Sequence, residues 1–102
     1  MVVRRSLESV RTGGSDITSI PNLSVEVKRK KHILPSDMND FWLQCITQAE
    51  KEKRMPVLFS KEDRRDWVVT VAMGDVFKIQ DMKFLPINMD VRAFKVLYER
   101  WK

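Results

Sequence analysis

The sequence has little of the chemistry that supports a zinc site or a disulfide framework. It contains one cysteine, Cys45, and one histidine, His32. A structural zinc site takes about four such ligands and a disulfide needs a pair of cysteines, so neither is expected. We predict that Cys45 is a small buried hydrophobe on the apolar face of a helix.

Long apolar segments are also missing from the chain. No run approaches the length that crosses a bilayer, and no charged-then-apolar leader opens the sequence. We therefore expect a cytoplasmic protein without membrane contact. No repeats or low-complexity segments interrupt the chain, and its 102 residues predict one small domain over 1–102.

Positive charge is concentrated near the beginning of the chain. The formal net charge is +5. Residues 1–32 hold seven Lys or Arg against three acids, a net of +4, whereas residues 33–102 hold twelve against eleven, a net of +1. A basic segment favours a polyanionic partner such as nucleic acid, and the alternative is a charged, solvated end without a partner.

The strongest chemical pattern lies in a predicted strand over 23–30. Apolar and polar residues alternate there, so one face is apolar and Glu26 and Lys28 share the other. Asp16 lies ten positions before Glu26, in a segment predicted as a second short strand over 16–20. A hairpin of the two strands would bring Asp16 against Glu26 and Lys28.

A helix and a β-hairpin are predicted after this strand. Ser36 is expected to cap a helix that runs to about Arg54, because apolar residues recur at helical spacing along it. A buried strand over 56–60 and a β-branched strand over 67–73 are expected to pair antiparallel.

The end of the chain predicts two further helices. Asp75 is expected to cap a short helix that packs Val76, Phe77 and Ile79 inward, residues 81–89 are expected to be irregular, and Asp90 is expected to cap the last helix. Residues 1–14 favour neither helix nor strand. The predicted order β, β, α, β, β, α, α gives an α/β (α+β) fold in which helices pack on a mixed sheet.

An aspartate, about ten residues and then Glu-x-Lys on a strand resembles the core of the PD-(D/E)xK nuclease superfamily. The order Leu-Ser-Val-Glu-Val-Lys-Arg at 23–29, an amphipathic helix ending in Gln-Ala-Glu at 48–50, and Pro-Val-Leu-Phe at 56–59 resembles the small Holliday-junction-resolvase-like endonucleases of phages and prophages. This resemblance covers roughly residues 12–79. It implies a restriction-endonuclease-like core, with a mixed sheet of four to five strands flanked by helices.

The resemblance also implies a metal-dependent site. Asp16 and Glu26 would hold Mg²⁺ or Mn²⁺ together with the backbone carbonyl of Val27, Lys28 would assist hydrolysis, and Gln48 would be auxiliary. The substrate would be branched DNA such as a Holliday junction, cut by a homodimer in the bacterial host cell. Basic residues near the site would contact the DNA backbone: Arg4, Arg5, Arg11, Arg29, Lys30 and Lys31.

The beginning of the chain departs from the family pattern. Family members usually start with a longer helix that supplies a further acidic residue, whereas Glu8 is the only acid before Gly13-Gly14 here. Ser15 replaces the proline that usually precedes the aspartate. Two alternatives therefore stay open: a DNA-binding protein on the same scaffold that does not cut, and a small interaction protein with no nucleic-acid role.

Overall fold

The computed structural model describes residues 22–78 and 83–101. These residues form a four-stranded mixed sheet with helices packed against it, which confirms the predicted fold class. In chain order the elements are β1 (Leu23–Lys30), α1 (Pro35–Glu52), β2 (Met55–Glu62), β3 (Val68–Ala72), α2 (Met73–Phe77), β4 (Pro86–Met89) and α3 (Val91–Trp101).

The strands lie in the order β1-β2-β3-β4. β1 and β2 are parallel, with Leu23 opposite Met55 and Lys30 opposite Glu62. The other two pairs are antiparallel, as predicted for β2 and β3. Since parallel neighbours need a crossover connection, α1 must pass over one face of the sheet to join β1 to β2.

The predicted helix over this crossover is confirmed, but its expected cap is wrong. The N-cap residue is Leu34, not Ser36, and Pro35 occupies the first turn. The Asp37 carboxylate accepts a hydrogen bond from the Leu34 N–H at 2.9 Å. An acidic side chain in the first turn thus pairs with the backbone N–H of the N-cap residue. Lys53 ends α1 in the left-handed region with a φ of 56°.

Apolar side chains fill both faces of the sheet. β2 is the central contributor, because its residues from Pro56 to Ser60 are all buried, as predicted for a strand covered on both sides. The α3 side holds the larger cluster, formed by Leu23, Val25, Val57, Phe59, Val69, Val71, Phe94 and Tyr98. The α1 side holds a smaller cluster formed by Trp42, Cys45, Leu58 and Ala72. Cys45 is fully buried, as predicted.

Several expectations for the end of the chain are wrong. Residues 86–89, expected to be irregular, form β4, because Ile87 and Met89 pair with β3 and add apolar surface to the core. α2 begins at Met73 after Ala72, so Asp75 is not its cap. Phe77, expected to pack inward, is 59% exposed.

Other expectations hold or fall outside the described residues. Asp90 caps α3 as predicted, since its Oδ1 accepts a hydrogen bond from the Ala93 N–H at 2.7 Å. The strand predicted over 16–20 and the inward position of Ile79 lie outside the described residues. Among the helices that the structure describes, none is long and apolar enough to cross a membrane.

Phe59 is the aromatic centre of the larger cluster and offers a test of the fold. It is 1% exposed and makes edge-to-face contacts with Trp67 and Phe94, at centroid distances of 6.5 and 5.6 Å. We expect Phe59→Ala to lower the free energy of unfolding by about 3–5 kcal/mol, because truncation leaves a cavity in the packed core. Urea unfolding measures the loss.

Val96→Ala is the matched control for this measurement. Val96 is 60% exposed on α3, and its truncation is expected to change the free energy of unfolding by less than about 0.5 kcal/mol. Equal losses for the two variants would contradict this packing.

Candidate active site

Glu26 and Lys28 lie on the face of β1 that is covered by α1. Apolar residues of β1 alternate with them and point to the α3 side, where they join the larger cluster. Both polar side chains are half-buried. The contacts between this face and α1 are Ser24 Oγ to Glu52 Oε1 at 2.5 Å, Lys28 Nζ to the Phe41 ring centroid at 5.7 Å, and Lys30 Nζ to Asp37 Oδ2 at 3.1 Å.

These contacts give the relative direction of the two elements. The end of α1 lies over the beginning of β1 and the beginning of α1 lies over the end of β1, so the two run in opposite directions. Glu26 and Lys28 fall between the two ends. The sequence pattern that separates an apolar face from a charged face therefore corresponds to a real division between the two sides of the sheet.

The charge of the Glu26 carboxylate affects the pKa of the Cys45 thiol. Burial is the larger cause and the negative charge of Glu26 is the smaller one, and together they raise the pKa of the Cys45 thiol to about 12. The Cys45 Sγ also lies 4.0 Å from the carbonyl oxygen of Ser24. The charge of Glu26 thus acts at Cys45, in the middle of α1, and favours the protonated thiol.

The backbone carbonyl of Val27 points to the open edge of β1. The carbonyls of Asn22 and Lys30 accept hydrogen bonds from the amides of Met55 and Asp63, at 2.9 and 3.1 Å, on the β2 side. Because carbonyl directions alternate along a strand in continuous register, Val27, an odd number of positions from both, points the other way. Within the described residues no strand pairs with that edge.

Gln48 lies on the line of α1 that faces β1. Positions 41, 45, 48 and 52 follow helical spacing, and three of them contact β1 through Phe41, Cys45 and Glu52. Gln48 itself is exposed. By helical spacing it therefore lies on the side of α1 that faces β1, at the outer rim of the helix, and its auxiliary role stays a prediction.

Glu52 is a carboxylate that the sequence analysis missed. Its Oε1 accepts the hydrogen bond from the Ser24 hydroxyl, so it lies on the same side of the sheet as Glu26. The signal was present, because Glu52 follows Gln48 at helical spacing and Ser24 precedes Glu26 at strand spacing.

The basic residues at the end of β1 differ in whether they form an ion pair. Arg29 and Lys31 are exposed, whereas Lys30 forms the ion pair with Asp37. The pKa of Asp37 lies below its usual value. The larger cause is the hydrogen bond from the Leu34 N–H, and the smaller is the Lys30 ammonium. The remaining predicted site residues, Asp16, Arg4, Arg5 and Arg11, lie outside the described residues.

The donor set in the described part of the chain fits a hard cation only in part. No group of three His, Cys, Asp or Glu residues is close enough to hold a metal ion within 22–78 and 83–101. Glu26 and the Val27 carbonyl supply oxygen atoms, which Mg²⁺ and Mn²⁺ prefer and which leave positions for water and phosphate. A further carboxylate, predicted at Asp16, is required to complete such a site.

Comparison with known protein families gives a match that covers most of the chain. Residues 7–100 match a family model described as "Phage putative PDDEXK endonuclease". The chain belongs to this family. The match confirms the resemblance to the PD-(D/E)xK superfamily and extends it from residues 12–79 through β4 and α3. No curated protein and no solved structure matches the chain.

Family membership supports a nuclease of phage origin, and the geometry agrees with it. The predicted Glu-x-Lys, Glu26 and Lys28, lies on β1, under the helix that leads to the parallel partner strand. The α+β sheet of the described residues is consistent with the family's core.

The raised pKa of Cys45 predicts a loss of stability at alkaline pH. The folded thiol has a pKa of about 12, above the ordinary value of 9.0 expected when the chain is unfolded. Between these values the folded state binds more protons than the unfolded state, so the stabilisation present below pH 9.0 is lost as the pH rises.

Urea unfolding of wild type and Cys45→Ala at about pH 7 and about pH 10.5 checks this expectation. Wild type should lose more stability between the two pH values than Cys45→Ala, which carries no thiol. All other residues are the same in both proteins, so the difference between them isolates Cys45. An equal loss would show that the thiol is not held protonated beside Glu26.

Proposed function

We propose that this protein is a metal-dependent DNA endonuclease that hydrolyses phosphodiester bonds in branched DNA, such as Holliday junctions. The observation that carries the proposal is the pairing of Glu26 and Lys28 on the α1-covered face of β1, in a chain that belongs to a family of phage PD-(D/E)xK endonucleases. A carboxylate and an ammonium two positions apart on a strand suit a phosphate and its counterion.

Asp16, Glu26 and the carbonyl of Val27 would hold the metal ion, Mg²⁺ or Mn²⁺. This assignment is supported by the oxygen-only donors and by the direction of the Val27 carbonyl, toward the edge where the predicted 16–20 strand would pair. When bound, the cation supplies Lewis-acid stabilisation of charge on the scissile phosphate.

Lys28 would stabilise the negative charge that develops on the phosphate during hydrolysis. Its Nζ lies 5.7 Å from the centroid of the Phe41 ring and the side chain is half-buried, so its charge lies against α1, on the same face of β1 as Glu26. Gln48, exposed at the rim of α1 above β1, would orient the attacking water.

The exposed cations at the end of β1 would grip the DNA backbone. Arg29 and Lys31 are available for phosphates, and Lys30 would have to leave Asp37 before contributing fully. The proposal assigns the same role to Arg4, Arg5 and Arg11. Since a four-way junction is resolved by two symmetric nicks, we propose a homodimer in which each chain cuts one strand.

Cleavage of an end-labelled four-way junction tests the proposed activity. Wild type is expected to make paired, symmetric nicks with Mg²⁺ and none with EDTA, and to cut a linear duplex of the same arm sequence far more slowly. Glu26→Ala and Lys28→Ala are each expected to reduce the rate by at least about a hundredfold, because each removes charge stabilisation at the scissile phosphate.

Glu50→Ala and Lys51→Ala are the matched controls. Both residues are exposed on α1, and each variant removes the same charge as the site variant without touching β1. Binding without cleavage by wild type would contradict the enzymatic function and favour a DNA-binding protein on the same scaffold. Absence of binding at low salt would favour an interaction protein without a nucleic-acid role.

A further inference from the structure

A cavity of about 360 Å³ opens on the α1 side of the sheet, beyond the beginning of α1. Its floor is formed by Ser60, Val68 and Asn88, from three neighbouring strands, and Ile33 and Met38 form apolar walls. The volume falls at the lower end of the range of about 300–1,000 Å³ that is typical of small-molecule sites. The cavity is large enough for one heterocyclic ring and too small for a folded segment.

Two polar side chains lie on the floor of the cavity. Ser60 is 2% exposed, and its side chain lines the cavity. The Thr70 hydroxyl donates to Asn88 Oδ1 at 2.6 Å, which leaves the amide NH₂ of Asn88 as a donor. A hydroxyl and an oriented amide beside apolar walls suit a flat ring with donors and acceptors along its edge.

The rim of the cavity is held in place before any ligand arrives. Glu62 Oε1 accepts the Ile33 N–H at 2.7 Å, and Glu62 Oε2 pairs with Arg65 Nε at 2.8 Å. The first bond ties the connection between β1 and α1 to the end of β2, and the second ties the turn after β2 to the same carboxylate. Because the rim is already ordered, the protein loses less conformational entropy when a ligand binds.

The charge of the lining selects against a phosphate. Glu62 and Asp66 contribute two carboxylates, and Arg65, already paired with Glu62, contributes one guanidinium. An anion in the cavity would be repelled, whereas a neutral ring that carries an exocyclic amine could donate to Asp66 and accept from Asn88. Nucleobases have these features, and carboxylate and amide side chains are among the groups that read base edges.

The position of the cavity relates it to the candidate active site. Ser60 is the register partner of Lys28 across the parallel pair. The first turns of α1 separate the two, because Met38 lines the cavity while Phe41 lies against Lys28 on the other side. A base held here would therefore belong to a nucleotide near the scissile phosphate and not to the scissile nucleotide itself.

We propose that this cavity binds an unpaired nucleobase next to the branch point of the DNA substrate. The proposal rests on the proposed function, because it names the feature of branched DNA that the protein would recognise. Bases at a branch point are unpaired at lower cost than bases within a duplex, so the cavity would favour branched over linear DNA.

Fluorescence anisotropy with two labelled four-way junctions tests this proposal. The junctions are identical, except that one unpaired nucleotide at the branch carries a base in the first and is abasic in the second. EDTA is present so that neither is cut. Wild type is expected to bind the first junction about tenfold more tightly, since base contacts of this kind discriminate by about one to two orders of magnitude.

Two variants address the cavity directly. Asn88→Ala removes the amide, and Val68→Phe fills the space without removing a polar group, so both are expected to bring the affinity ratio of the two junctions close to one. Asn39→Ala removes an exposed amide from α1 and is expected to leave the ratio unchanged. Urea unfolding confirms that each variant is folded.

The outcomes separate this proposal from the nuclease function. Equal affinity of wild type for the two junctions, with Mg²⁺-dependent cleavage intact, would overturn the base site alone. A preserved base preference without cleavage under any metal would support the base site while overturning the nuclease function. A base preference that survives in both cavity variants would show that the base is bound elsewhere and would overturn the proposal.

Discussion

The parallel pairing of β1 with β2 is the constraint on which the rest of this structure depends. Parallel neighbours require a crossover, and here α1 supplies it and covers one face of both strands. Because side chains alternate along a strand, a shift of register by one residue would turn Glu26 and Lys28 into the apolar cluster on the α3 side. Such a shift would also remove Leu23 and Val25 from that cluster, where they pack with Phe59, so the packing of the core opposes it.

Because of this pairing, the apolar side chains, the charged side chains and the Val27 carbonyl of β1 point in three different directions. Its apolar side chains stabilise the sheet, its charged side chains face α1, and the carbonyl of Val27 points to the open edge. A metal-dependent nuclease needs carboxylate, ammonium and carbonyl groups that converge without weakening the core. A strand at the edge of the described sheet meets that requirement, since one of its edges pairs with no strand of the described residues.

Local patterns predicted most of the described fold, and non-local contacts account for the errors. Alternation was sufficient for β1, and helical spacing was sufficient for α1 and α3, because each pattern lies within one element. β4 was missed because its four residues become a strand only by pairing with β3. The sequence favours Ser36 as the cap because the hydrogen bond from the Leu34 N–H to the Asp37 carboxylate depends on how the chain enters the helix. The positions of Glu26 and Lys28 followed from spacing, whereas the contact between Glu52 and Ser24 and the cavity on the other side of α1 required the packing of separate elements.

Mn²⁺ binding measured by isothermal titration calorimetry, without DNA, tests most directly whether Glu26 belongs to a metal site. Wild type should bind Mn²⁺, Glu26→Gln should weaken binding by at least about tenfold, and the exposed control Glu50→Gln should bind as wild type does. Glutamine preserves the size of the side chain and removes only the charge that a hard cation requires. Equal Mn²⁺ affinities for wild type and Glu26→Gln would show that Glu26 does not hold the cation.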